Sequence, residues 1–267
     1  MIDWLTFKLF RLDRFEEKLK KYNGYRDRST LRWKKQMVIS WRLTQKVLRE
    51  IKILTAIEIR HMLREVVEQH KNLFSSANCY ICKFGKPGKS GDIILYEFCH
   101  GCSEYKDRII EPWRIPSLPE KSRIVFLDDL VGSGQQSVEY ISNTINLFLN
   151  SSHKAFLLSL CATPQGLEHV KTNTNFDTIC HLILNEEEYQ HYSSQSYIFN
   201  EKERALMMDI NDRLKGSSNT FFDKGLLIAF YYAVPNNTMP FIWKDNYNYL
   251  DKEGSSKNWF ALLPRKY

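Results

Sequence analysis

Residues Ile124-Val-Phe-Leu-Asp-Asp-Leu-Val-Gly-Ser-Gly-Gln-Gln-Ser137 decide how the chain is read. Four apolar residues run into two adjacent carboxylates, Asp128 and Asp129. A small turn of Gly132, Ser133 and Gly134 follows, and from Gln135 a helical pattern begins with Val138, Ile141, Ile145 and Leu149 on one face. A continuous apolar run is what a strand covered on both faces requires. The segment therefore reads as strand, turn and helix, with its acids at the carboxyl end of the strand, where open α/β sheets bind their ligands. The backbone N–H groups of such a turn, at the positive end of a helix, form a cradle for phosphate. Ser133 and Ser137 add hydroxyl donors. Carboxylates beside that cradle suit ribose hydroxyls and, through them, a magnesium ion.

Working outward, Arg123–Leu127, His153–Cys161 and Thr178–Leu184 read as strands, and Gln135–Leu149, Pro164–Lys171 and Lys202–Leu214 as helices. Upstream, Asn78–Phe84 and Asp92–Cys99 read as two strands separated by the loop Gly85-Lys-Pro-Gly-Lys-Ser-Gly91. Alternation of this kind predicts an α/β fold, a mostly parallel sheet with helices on both faces. Before it, Asp3–His70 has helical periodicity with a break at Asn23-Gly24. Leu43, Val47, Ile51, Leu54 and Ile57 form one stripe in a run from Leu31 to His70 that no Gly or Pro interrupts, with room for a kink or short turn at Ile53–Thr55. The expected organisation is a helical N-terminal region over residues 1–72 and the α/β domain over 73–267.

Composition narrows the function classes. Of 267 residues, 43% are hydrophobic and 26% charged, which excludes a disordered chain. The longest apolar run, Leu226–Val234, is less than half of the roughly 20 residues a membrane helix needs. The N-terminus alternates charged and aromatic residues and lacks a secretory pattern. The expectation is a cytoplasmic protein without a membrane partner, whose six cysteines are thiols. The net charge of +7 resides at the front: residues 1–50 hold fourteen Lys/Arg against six Asp/Glu, and the remainder is close to neutral. Two readings stand: a surface for a phosphate-rich partner such as nucleic acid, or a solvated helical face.

The strand, paired acids, small loop and helix resemble the phosphoribosyl-diphosphate (PRPP) motif of type I phosphoribosyltransferases. The Asp-Asp-Leu-Val-Gly-Ser-Gly-Gln-Gln form, together with Pro235-Asn-Asn-Thr-Met-Pro240 and the Trp259–Arg265 segment, is similar to a phosphoribosyltransferase-like family of bacterial conflict systems, retron-associated anti-phage loci among them. The resemblance implies that Asp128 and Asp129 bind the ribose hydroxyls. It implies that Gly132, Ser133, Gly134, Gln135, Gln136 and Ser137 wrap the 5-phosphate, and that Lys86 and Lys89 meet the pyrophosphate. Magnesium would arrive with PRPP, and a reverse transcriptase or other defence component would be a partner. Some relatives carry an Asp general base where Gly132 stands, so no catalytic residue is assigned. The expected function is a phosphoribosyltransferase-like effector or accessory of anti-phage defence that binds PRPP or a nucleotide. The alternative is an inactive nucleotide-sensing scaffold that docks nucleic acid or a protein through its basic N-terminal helices.

Two further patterns compete for attention. An apolar run ending in Asp-Asp also fits a nucleotide hydrolase, which needs G-x-x-x-x-G-K-[ST]. Gly88-Lys89-Ser90 supplies its end, but the earlier glycine position holds Lys83, and a strand is expected after Ser90. Cys79-x₂-Cys82 and Cys99-x₂-Cys102 have the spacing of a four-thiolate zinc site, with buried unliganded thiols as the alternative. Cys161 and Cys180 read as packing residues. His153, His169 and His181 lack the partners of a hydrolase triad.

Overall fold

The computed structural model describes residues 12–26, 29–37, 39–215, 224–251 and 254–265. In chain order its main elements are α1 (Ser29–Gln36), α2 (Trp41–Glu50), β1 (Lys52–Leu54), α3 (Ala56–Gln69), β2 (Cys79–Lys83), α4 (Ser90–Gly101), β3 (Arg123–Val131), α5 (Gln135–Asn143), β4 (Lys154–Ala162), α6 (Pro164–Asn173), β5 (Phe176–Ile183), α7 (Glu201–Lys215), β6 (Ile228–Phe230), β7 (Tyr247–Leu250) and β8 (Ser256–Trp259). They form two compact units: residues 56–185, and residues up to 55 together with those from 186 onward.

In the unit 56–185, four parallel strands lie in the order β2-β3-β4-β5. Successive side chains of a strand alternate between faces. On one face Ile124 and Phe126 of β3 share a core with Ile141 of α5, Val170 of α6, Leu157 and Phe176. Val125 and Leu127, which alternate away from them, are equally buried. There α3 packs on β4 and β5, and α4 on β2 and β3, through Ile59, Met62, Leu63, Ile94 and Phe98. This is the expected parallel α/β sheet with helices on both faces.

One connection sets the position of the site. After α4 the chain returns along the free edge of β2, where Ile109 bridges parallel to Ile81 and Ile110 N donates to Ile81 O at 2.9 Å. A 3-10 turn, Pro112–Ser117, then leads to β3 on the opposite side of β2. The sheet therefore advances one way from β2 and the other way from β3. The reversal between β2 and β3 is the topological switch point, where open α/β sheets leave a ligand crevice beyond the carboxyl ends.

The other unit is held by a core that includes Trp33, Met37, Val47, Phe241, Trp259 and Leu262. Trp33 Nε1 and Trp259 Nε1 both donate to Phe241 O, at 2.8 and 3.2 Å. β1 pairs in parallel with β6, and β7 with β8 antiparallel. Much of the basic N-terminal charge is used in packing. Lys18 Nζ donates to the carbonyls of Leu48 and Arg49 at the end of α2. Lys34 Nζ donates to Ile39 O, Lys46 pairs with Glu203 at 2.6 Å, Arg26 pairs with Asp245, and Arg32 stacks 3.1 Å from the Phe260 ring centre.

Two expectations change. The helical run from Leu31 to His70 is α1, α2, β1 and α3, with β1 overlapping the place left for a kink or short turn. Ser40 caps α2 by accepting from Leu43 N, and Lys52-Ile-Leu54 leaves helical geometry to pair with Ile228–Phe230. The strand expected over Asp92–Cys99 is helix α4: Ile94 and Phe98, one turn apart, are the buried positions, a period of four hidden in a nearly continuous apolar run. The compact units are bounded at 55/56 and 185/186. β1 and β6 are adjacent in space but far apart in sequence, a pairing that composition does not reveal. The helix expected over Lys202–Leu214 is α7; the Gly216 proposed to stop it lies outside the described residues.

Candidate functional site

The paired acids occupy the last part of β3, with Asp128 in register with Ser159 of β4. Asp128 Oδ1 accepts from Asp129 N at 2.9 Å and from Ser90 Oγ at 3.3 Å, and Asp129 Oδ1 accepts from Leu130 N at 2.8 Å. Burial, followed by the charge of Asp129, pushes the Asp128 carboxyl well above the usual carboxylate range. Asp128 is thus a carboxyl held by two donors in a poorly solvated place.

Beyond the acids, β3 ends at Val131 and α5 starts at Gln135. Gly134 has φ +77°, the left-handed conformation glycine adopts at no steric cost, and its carbonyl accepts from Val138 N. Gly132, Gly134 and Ser137 are buried, and Gln135 and Gln136 exposed. The second loop, Phe84–Lys89, joins β2 to α4. Gly85 (φ +93°) and Gly88 (φ +76°) shape it. Asp92 in the first turn of α4 accepts from Gly88 N and pairs with Lys83 at 2.8 Å. A Cβ at Gly91 would lie 1.8 Å from Phe84 O, so this close approach of helix and loop requires glycine. Lys86 and Lys89 stand exposed on the loop.

The elements that flank the two loops bring them together. Besides the Ser90–Asp128 bond, Tyr140 of α5 donates from its hydroxyl to Gly85 O at 2.9 Å, and its ring meets Phe84 edge-on at 5.0 Å. Both loops therefore stand at the switch point, one from each strand beside it.

The chain matches the family model PRTase-CE over residues 32–265. It belongs to the PRTase-CE family. No curated protein matches it. Among solved structures, it is similar to a hypoxanthine-guanine-xanthine phosphoribosyltransferase (14% identity, 49% of this chain and 76% of that one, TM-score 0.33). It is also similar to orotate phosphoribosyltransferase from Aeropyrum pernix (16%, 47% and 69%, TM-score 0.31) and to purine phosphoribosyltransferase from Pyrococcus horikoshii Ot3 (13%, 50% and 91%, TM-score 0.31).

In this PRTase-CE chain the cysteine quartet does not assemble. Cys79 and Cys82 are three apart on β2, which sends their side chains to opposite faces. Cys82 Sγ donates to Ile110 O at 3.2 Å, and Cys99 and Cys102 sit at the end of α4. Burial pushes the Cys79 thiol up to about 11, Cys102 to about 12, and Cys82 upward as well. Among the described residues no three His, Cys, Asp or Glu side chains group as a metal site. Gly88-Lys89-Ser90 does precede a helix, as a P-loop would. Lys83 still ends β2 where the first glycine of that motif belongs.

Sequence reasoning missed the residues that brace the loops: Ser90, Asp92, Tyr140, Thr163 and Gly166. Thr163-Pro164 was legible as a helix start, a hydroxyl cap followed by proline. Its partner across the chain was not.

Proposed function

We propose that the chain binds a phosphoribosyl ligand, PRPP or a nucleotide, between the Phe84–Ser90 loop and the Asp128–Ser137 segment. The observation that carries this reading is the meeting of the two loops at the switch point through Ser90–Asp128 and Tyr140–Gly85. Asp128 and Asp129 hold the sugar hydroxyls, Gly132–Ser137 the 5-phosphate, and Lys86 and Lys89 the pyrophosphate. The oxygen-only donors of the acid pair suit a magnesium ion arriving with the ligand, which would offset pyrophosphate charge. In a transfer reaction the bond from ribose C1 to the pyrophosphate oxygen breaks as an acceptor bonds to C1.

The reading without turnover draws on Gly132. No side chain at that position can take a proton, and its carbonyl is held by Thr163 Oγ1. An anti-phage role rests on the family resemblance alone. Docking of nucleic acid by the basic N-terminus has less support, because Lys18, Lys34, Lys46, Arg26 and Arg32 serve packing.

Calorimetric titration with PRPP and magnesium, followed by a pyrophosphate-release assay, tests the proposal. Binding that Asp129→Asn abolishes supports the site; release separates the enzyme from the sensor. No binding by the unaltered chain would overturn the assignment.

A further inference from the structure

The loop proposed to hold the 5-phosphate does not stand on α5 alone. Thr163, the last residue before α6, is fully buried. Its N–H donates to Val131 O at 3.0 Å, and its hydroxyl donates to Gly132 O at 2.6 Å while accepting from Gly166 N at 3.0 Å. One side chain thus joins the phosphate loop to the first turn of a different helix. The backbones are also in contact. A Cβ on Gly166 would lie 2.1 Å from Gly132 O, and one on Gly134 would lie 2.5 Å from Gly166 O. Each approach is to a main-chain oxygen, which cannot swing aside. The two turns fit as facing surfaces with a hydroxyl between them.

We infer that Thr163 and Gly166 are positioning residues for phosphate binding, a role that rests on the function proposed above. Thr163 fixes the Gly132 carbonyl on the side away from the ligand, and Gly166 leaves room for that approach. A peptide whose oxygen is tied back has its N–H directed the opposite way, because the peptide unit is planar. The N–H of Ser133 belongs to the peptide whose carbonyl is that of Gly132. Clamping this oxygen against α6 orients an amide that a phosphate would use. A loop left to itself would have to order it on binding, at a cost in affinity.

The test compares Thr163→Val, which keeps the shape and removes the hydroxyl, with Thr163→Ser, which keeps the hydroxyl. Ribose 5-phosphate and inorganic pyrophosphate, each with magnesium, are titrated separately into the unaltered chain and both variants. Thr163→Val is expected to weaken ribose 5-phosphate about tenfold, the scale for an unmade buried hydrogen bond. Thr163→Ser should restore it, and pyrophosphate, which meets the other loop, should change in neither variant. Equal losses for both ligands would mean general damage to the unit and would overturn the role. So would wild-type affinity in Thr163→Val while Asp129→Asn loses binding.

Amide hydrogen exchange of the ligand-free proteins provides an independent reading. Residues 132–136 should exchange faster in Thr163→Val than in Thr163→Ser. If the unaltered chain binds neither ligand, the proposed function fails, and the exchange comparison still decides whether the clamp exists: equal rates in the two variants would overturn it.

Discussion

Ser90 Oγ and Asp128 Oδ1 lie 3.3 Å apart, joining the first residue of α4 to the end of β3. The bond runs from one proposed ligand loop to the acid proposed to hold the sugar beside the other. It also favours the ionised form of Asp128 against the burial that opposes it. Ser90→Ala should therefore weaken PRPP binding about fivefold, as expected for about 1 kcal/mol of hydrogen bonding, with little change in Tm. Calorimetry that finds unaltered affinity would show that the two loops bind independently.

The Asp128 carboxyl carries a second consequence, for stability. Its folded-state value lies above its unfolded value because of burial and Asp129. The folded chain therefore holds that proton more tightly, and ionisation costs stability as pH rises through and beyond the unfolded value near 3.9. Asp128→Asn should raise Tm at pH 7, and the gain should vanish toward pH 3, while PRPP binding is lost. Thermal melts across that range check it; a variant less stable at pH 7 would contradict the environment described for this acid.

Tyr140 separates the two loops experimentally. Its hydroxyl holds Gly85 O and its ring rests on Phe84. Tyr140→Phe keeps the ring contact and removes only the bond. Pyrophosphate affinity should fall about fivefold, whereas ribose 5-phosphate, proposed to sit at the start of α5, should bind as before. A loss confined to ribose 5-phosphate would reverse the assignment of the loops.

Why the motif was readable and its supports were not follows from where each signal lies. Ile124–Ser137 is local: apolar run, acids, glycines and helix are consecutive, and each obeys a short-range rule. The same holds for β4, α6 and β5, whose periods stand clear of one another. Asp92–Cys99 failed because Ile93, Ile94, Leu95, Phe98 and Cys99 leave little polar contrast to reveal a helical period. At Lys52–Leu54 a break in the helix is legible but a strand is not, because three residues inside a helical stripe become a strand only when Ile228–Phe230 lies beside them. Of the two readings of the cysteines, buried thiols fit: C-x₂-C has metal geometry on a turn, and Cys79 and Cys82 are on a strand. Thr163 and Gly132 are thirty-one residues apart, and no pattern within either segment announces the other.

Gly91 offers the sharpest test of the loop's packing, since propensity and sterics predict opposite signs there. In an ordinary helix, Gly→Ala gains about 1 kcal/mol. In the first turn of α4 the added Cβ would sit 1.8 Å from the carbonyl oxygen of Phe84, a backbone atom fixed by the bond from Phe84 N to Leu127 O. The clash should win: Gly91→Ala lowers Tm and loses pyrophosphate binding. Gly85→Ala is the control, because it meets nothing within 4 Å and is strained only by its φ of +93°. Its cost should be about 1–2 kcal/mol, below that of Gly91→Ala. Denaturant melts of both variants decide the order. A stabilised Gly91→Ala would mean that α4 does not close on the loop in this way.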